Sequence, residues 1–157
     1  MTRPFKYLPQ GVQVNLGKQE LTFLASVPEL LASVDEDSAD PAYARLHVAA
    51  YPDDQPAQED LESITGPDLA EIRGSDRAGF LAALERIEST GGLLSDEEAE
   101  SWLTVLGDTR LALAARIGVT EPSDWERSPD PRDPAQAALG FLSYLQAELV
   151  DILMERL

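Results

Sequence analysis

The strongest constraint on the fold is one long amphipathic segment between Gly91 and Val119. Ser95 followed by Glu98 forms the Ser-x-x-Glu pattern of a helix N-terminal capping box. Carboxylates crowd the first turns, where they meet the positive end of the helix dipole, and Gly118 is a typical C-terminal stop. Between these signals a single face recurs at spacings of three and four: Ala99, Leu103, Leu106, Arg110, Leu113 and Ile117. The sequence therefore predicts one long helix that begins at Asp96.

Arg110 is the charged member of this face. A guanidinium among apolar side chains must be paired or must reach solvent, because burying it alone is costly. One interpretation makes Arg110 a site for an anion or for a carboxylate of a partner. The other gives it an internal ion pair with an acid of the last helix (Glu148, Asp151 or Glu155) and packs its stem in the core. The internal pair is favoured, since acids are in excess along the whole chain.

The chain is strongly acidic, with 29 Asp and Glu residues against 12 Lys and Arg residues and a formal net charge of −17. Binding of duplex DNA through neutralised phosphates is therefore disfavoured for the chain as a whole, and basic partners are favoured. Residues 1–19 differ, since they hold three bases and no acid. A solvated strand is favoured there over an arm that contacts phosphates.

Several kinds of chemistry are excluded by residue type. The chain has no cysteine, which excludes disulfides, thiolate catalysis and cysteine zinc sites within it. His47 is the single histidine, and its spacing to other residues indicates no partner acid or nucleophile. No phosphate loop, nucleophile elbow, zinc-protease motif or dinucleotide-binding glycine pattern occurs. We therefore expect no enzyme activity, no cofactor and no metal.

The remaining periodicities predict a mainly α fold, a helical bundle in a single domain over residues 1–157. Alternating apolar residues around the Pro9-Gln10-Gly11 turn indicate a β-hairpin or strand pair within residues 1–17. From residue 18 to residue 157 the apolar spacing is helical. No run of 18 apolar residues and no signal-peptide core occurs, so a cytoplasmic location is expected.

Prolines mark the predicted helix boundaries in the first half of the chain. Pro28 is expected to kink the first helix or to divide it in two, and Asp40-Pro41 is expected to start a short helix. A further helix from about residue 57 to residue 64 is predicted to stop at Gly66. Pro67 is then predicted to open another helix.

A proline-rich stretch over residues 120–134 is predicted to be an extended surface loop. Trp125 within it is interpreted either as a plug against the core or as an exposed anchor for a partner, and the plug is favoured. Asp133-Pro134 is expected to start the last helix, whose stripe comprises Ala138, Leu142, Leu145, Leu149 and Ile152.

Three segments resemble the actinobacterial DUF2017 family: DPAYARLHVAAYPDD at 40–54, SDEEAESWLTVLGDTRLALAARIGV at 95–119 and FLSYLQAELVDIL at 141–153. The long helix carries the most specific part of the resemblance, through Trp102, Leu106, Asp108, Arg110, Leu111, Arg116 and Gly118. The resemblance implies regulation of transcription in the oxidative-stress response, in a gene neighbourhood with a Clp-protease adaptor. It transfers no catalytic signature to this chain. A redox regulator would use cysteines, so this member senses nothing itself or responds through a partner.

On this resemblance we expect a non-enzymatic regulatory protein that contacts a sigma factor or RNA polymerase, with direct DNA contact left open. The alternatives are an adaptor or regulator of Clp-type proteolysis, and a small ligand-binding or enzymatic bundle centred on Arg110. A helix face or the loop at 120–134 would dock onto a basic surface. The candidate partner contacts are Trp102, Arg110, Arg116 and Trp125. A homodimer is also considered, because a long amphipathic helix can pair with its own copy.

Overall fold

The computed structural model describes residues 3–119 and 132–156. Its strands are β1 (Phe5–Leu8), β2 (Gly11–Val14) and β3 (Leu93–Leu94). Its helices are α1 (Lys18–Ala25), α2 (Val27–Asp35), α3 (Pro41–Leu46), α4 (Gln55–Thr90), α5 (Asp96–Arg116) and α6 (Pro134–Met154). The predicted mainly α fold with a small N-terminal β element is confirmed.

The N-terminal strands form the predicted antiparallel hairpin, with Phe5 opposite Val14. A third strand, which the sequence analysis did not predict, adds Leu94 opposite Val12. Gly11 makes this approach possible, because its φ is +151° and a Cβ there would lie 2.5 Å from the Leu94 carbonyl oxygen. The sheet therefore ties the N-terminus of the chain to the residues just before α5.

Local signals divide the first helices as predicted. Ser26 separates α1 from α2, and Pro28 occupies the first turn of α2, where a missing N–H costs nothing. Asp40 caps α3, since its carboxylate accepts a hydrogen bond of 2.9 Å from the Ala42 N–H. Both predicted boundaries are confirmed.

The capping box of α5 is also confirmed. The Ser95 hydroxyl accepts from the Glu98 N–H at 3.1 Å, and the Glu98 carboxylate accepts from the Ser95 N–H at 2.8 Å. The buried face is rotated from the predicted one by less than one residue position. It comprises Ala99, Trp102, Val105, Leu106, Thr109 and Ala112. Arg110 consequently lies at the edge of the buried face and not at its centre.

Trp102 lies at the centre of the core, where it is fully buried. The centroid of its ring lies 4.8 Å from that of Phe80 in α4. The centroid of the Phe5 ring in β1 lies 6.4 Å away, in an edge-to-face arrangement. These aromatic contacts join the sheet, α4 and α5 around one side chain.

The prediction of two helices on either side of Gly66 is wrong, because α4 runs without interruption from Gln55 to Thr90. Pro67 lies inside it, where a proline removes the hydrogen bond to the carbonyl four residues earlier, on Ser63. Ser63 and Pro67 are both exposed, so water can hydrate that carbonyl. Because this part of the helix is exposed to solvent, α4 continues through Pro67, although a proline usually ends a helix.

Two glycines give opposite tests of this backbone. Gly79→Ala should raise the free energy of unfolding by about 0.5–1 kcal/mol, because nothing lies within 4 Å of the new Cβ and alanine favours the helix. Gly11→Ala should lower it by about 1–3 kcal/mol through strain at positive φ. Urea unfolding followed by circular dichroism measures both, and a stable Gly11→Ala protein would contradict the sheet geometry.

Candidate interaction surface

The first half of α4 extends beyond the body of the protein. With a rise of about 1.5 Å per residue, the 36 residues of α4 span about 54 Å, against about 32 Å for the 21 residues of α5. The buried side chains of α4 begin at Phe80 and lie in its last third. Residues 48–72, which we call the acidic arm, comprise the approach to α4 and its first half.

The acidic arm concentrates negative charge. Its 25 residues contain seven acids and no base: Asp53, Asp54, Glu59, Asp60, Glu62, Asp68 and Glu71. The charges within these 25 residues are therefore all of one sign. A negatively charged surface attracts cationic partners and speeds their encounter with the protein.

The acidic arm also exposes apolar side chains. Five of the nine exposed large hydrophobic residues among those described lie in it: Val48 (78% exposed), Tyr51 (48%), Ile64 (74%), Leu69 (48%) and Ile72 (58%). On α4, the half-buried Leu61 and the exposed Ile64, Leu69 and Ile72 fall within about 140° of the helix circumference, at 100° per residue. We call these four residues the arm stripe. Single exposed hydrophobics are ordinary, whereas a grouped set of them marks an interaction surface.

A network of hydrogen bonds lies where the two ends of the acidic arm meet the rest of the protein. His47 and Arg73 immediately flank the arm, and Arg73 donates to His47 Nδ1 at 3.0 Å and to the Leu46 carbonyl at 2.9 Å. His47 Nε2 lies 2.9 Å from one oxygen of Asp35, whose other oxygen accepts from Arg77 at 2.5 Å. The two ends of the arm are thus bound to each other and to α2. The Tyr43 ring stacks on the His47 ring, with 4.1 Å between the ring centroids.

The partners of His47 fix its tautomer. Because a guanidinium only donates, Nδ1 must accept from Arg73, and Nε2 therefore carries the hydrogen that is donated to Asp35. Both ring nitrogens of His47 are thus engaged within the fold. The sequence spacing had indicated no partner acid for His47. Asp35 is that acid, and it was missed because it lies twelve residues earlier on another helix.

The carboxylates around this network differ in their pKa. Burial alone would raise the pKa of Asp35, but hydrogen bonds from Arg77 and His47 outweigh it, and the pKa lies below its ordinary value. Burial raises the pKa of Asp108 above its ordinary value, since the charges of Arg73 and Arg77 offset only part of that effect. The fold therefore stabilises the ionised form of the Asp35 carboxyl and destabilises the ionised form of the Asp108 carboxyl.

Among the candidate contacts predicted from sequence, Trp102 is fully buried in the core. Its side chain is therefore not available for direct contact with a partner, which corrects that prediction. Arg116 binds Asp40 within the fold, with Nη2 2.6 Å from Oδ2, and donates to the Ser33 hydroxyl at 3.1 Å. It joins the end of α5 to α2 and to the start of α3. Trp125 lies outside the described residues.

The favoured internal ion pair of Arg110 is not found among the described residues. Its Nε is buried without a hydrogen-bond partner there. Of the acids proposed for it, Glu148 instead accepts from Arg3 at 2.8 Å. Two surface cavities of about 410 Å³ each lie elsewhere, and Arg110 lines neither.

A second apolar surface lies between α5 and α6. This α5/α6 groove is lined by Glu100, Leu103, Val150, Leu153, Met154 and Arg156. Its rim carries both signs of charge, unlike the arm. Helix α6 is long and apolar enough to cross a membrane by length and composition alone, which is weak evidence, because core helices pass the same test. No group of three or more metal-binding side chains occurs within residues 3–119 and 132–156.

A scan against protein families matches residues 2–153 to the model of DUF2017, described as a domain of unknown function. The chain belongs to the DUF2017 family. The match covers nearly the whole chain, including the acidic arm and both helices of the α5/α6 groove. No curated protein and no solved structure matches the chain.

Opposite pKa shifts predict opposite effects of two matched substitutions. The ionised Asp35 stabilises the fold above the ordinary aspartate pKa, and this is lost only as pH falls through its lower folded-state value. Asp35→Asn should therefore lower the free energy of unfolding equally from about pH 7.5 to about pH 5.

Asp108→Asn should instead raise the free energy of unfolding at about pH 7.5, because the folded state holds the Asp108 proton more tightly than the unfolded state. This gain should shrink as the pH falls through the raised folded-state pKa of Asp108. Urea titrations at a series of pH values measure both variants. Equal signs for the two substitutions at neutral pH would contradict the described network.

Proposed function

We propose that this protein is a non-enzymatic regulatory protein that acts by binding another protein through the acidic arm. The observation that carries the proposal is the arm stripe. Its four apolar side chains share one face of α4, and three of them (Ile64, Leu69 and Ile72) are exposed. Leaving such a face in water is unfavourable, so a bound partner that covers it gains free energy.

The other features support binding over catalysis. His47 has both nitrogens engaged, and Arg116 and Trp102 have partners or packing within the fold. Side chains engaged in this way stabilise the fold, whereas most of the large exposed hydrophobic side chains of the described residues lie in the arm. The network of hydrogen bonds around His47 holds that arm in a defined position on the body.

The regulatory setting of the proposal comes from the family resemblance. It is transcription in the oxidative-stress response, with a sigma factor or RNA polymerase as the partner. The net charge of −17 supports contact with protein over direct contact with DNA phosphates. With no cysteine in the chain, any response to oxidants would come through the partner.

The test is affinity capture of the tagged full chain from its own host, under reducing and oxidising conditions, read by mass spectrometry. The stripe variant carries Ile64→Gln and Ile72→Gln, which keep helix propensity and remove the apolar surface. The groove variant carries Val150→Gln and Met154→Gln and serves as the matched control. We expect a partner captured by the wild type and the groove variant and reduced about tenfold or more with the stripe variant.

The identity of the captured protein distinguishes regulation of transcription from regulation of proteolysis. An arm-dependent sigma factor or RNA polymerase supports regulation of transcription, whereas an arm-dependent Clp component replaces that setting with proteolysis. Capture that is equal for the stripe variant and the wild type contradicts the proposal, and so does a host extract that yields no partner. Melting temperatures of both variants confirm that each remains folded.

A further inference from the structure

We infer that the acidic arm binds a basic amphipathic helix of its partner, with an apolar stripe at helical spacing and Lys or Arg on both sides of it. This inference rests on the proposed function and adds the chemistry of the partner. It follows from the shape of the arm stripe, from the placement of the acids beside it, and from the backbone of the arm.

The shape of the stripe fits one helix. From Leu61 to Ile72 it runs about 16 Å along α4, which a partner helix of about 11 residues would cover. A stripe about 140° wide is the width that a helix presents to a single neighbour. Side chains in such stripes interdigitate as ridges and grooves, with the two helix axes roughly 8–10 Å apart.

The backbone of the arm argues against an extended partner. A peptide strand binds by adding to an exposed sheet edge, where free N–H and C=O groups hydrogen-bond to it. Residues 55–72 are helical, so most of their backbone groups hydrogen-bond within α4, apart from the Ser63 carbonyl that faces Pro67. Recognition on this surface must therefore come from side chains, as it does when a helix packs on a helix.

The acids frame the stripe on both sides. At 100° per residue, Asp60 and Glu71 lie within about 40° of one edge of the stripe, and Glu62 lies about 20° beyond the other edge. Asp68 lies within it. A partner with basic residues beside its own apolar stripe would pair with these carboxylates, as the flanking charges of coiled coils do.

Charge also excludes the other occupants of such a stripe. Two copies of the arm would bring fourteen acids together with no base between them, since each contributes seven. An anionic membrane surface would be repelled in the same way, because amphipathic helices that bind such membranes carry basic polar faces. A cationic helix removes this repulsion and covers the apolar side chains at once.

The test uses synthetic peptides and the full chain, with binding followed by fluorescence anisotropy at several salt concentrations. The probe is a Leu/Lys/Ala peptide of about 14 residues with its leucines on one helical face. A second peptide has the same composition in an order that breaks the stripe. We expect the amphipathic peptide to bind about tenfold or more tightly than the shuffled one.

Variants of the chain then locate the binding. The stripe variant should lose about tenfold or more in affinity, and the groove variant should bind like the wild type. Asp60→Asn, Glu62→Gln and Glu71→Gln together should weaken binding and flatten its salt dependence. As a matched control, the combination of Glu36→Gln, Glu85→Gln and Glu88→Gln removes three exposed acids outside the arm. It should leave the affinity for the peptide and its salt dependence unchanged.

Four results would overturn the inference. They are equal binding of the shuffled peptide, equal binding by the stripe variant, a wild-type dimer that the stripe variant abolishes, and stripe-dependent binding to phosphatidylglycerol vesicles. Failure here differs from failure of the proposed function. If host capture depends on the stripe while the basic peptide does not bind, the arm is an interface and only the partner chemistry is wrong.

Discussion

The burial of Trp102 is the interaction on which the rest of this structure depends. Its indole contacts Phe5 of the sheet and Phe80 of α4 while its own backbone belongs to α5. Removing it would open a cavity where three elements meet, at a cost of about 3–5 kcal/mol for such a substitution. Because the last third of α4 is fixed there, the direction of its first half is fixed as well. The position of the acidic arm therefore follows from packing in the core.

The described residues thus form a packed body and a helical extension. The body holds the buried residues, while the arm carries seven acids, no base and a stripe of apolar side chains. Arg73 and His47 hold the two ends of the arm together, and Asp35 and Arg77 attach it to α2. Gly66 and Pro67 weaken the helix within the arm, since both residues disfavour a helix interior. Covering the arm stripe with a partner helix would offset that weakness.

Local signals in the sequence predicted most of the fold. The Ser95–Glu98 capping box, the division near Pro28 and the Asp40 cap each depend on residues close in the chain. Strand β3 was missed because pairing between Leu94 and Val12 depends on residues far apart in sequence. The continuity of α4 was missed because exposure of the Ser63 carbonyl is a tertiary property.

The candidate site was less predictable than the fold, for related reasons. Periodicity on α5 showed which residues share a face but not which neighbours cover it, so Trp102 was proposed as a contact. The arm stripe itself was overlooked because a predicted break at Gly66 divided it between two separate helices. Its apolar spacing becomes visible once Leu61 and Ile72 are placed on one helix. Asp35 could have been found for His47 only from the packing of α2 beside α3 and α4.

Hydrogen-exchange mass spectrometry of the full chain, free and in the complex captured from its host, tests the central claim most directly. We expect fast exchange over residues 55–72 in the free protein and slow exchange around Phe80 to Ile87, because the buried side chains of α4 lie in the latter segment. In the complex, exchange over residues 55–72 should slow while exchange in α6 stays unchanged. Protection gained in α6 with residues 55–72 unchanged would contradict the account and move the interface to the α5/α6 groove.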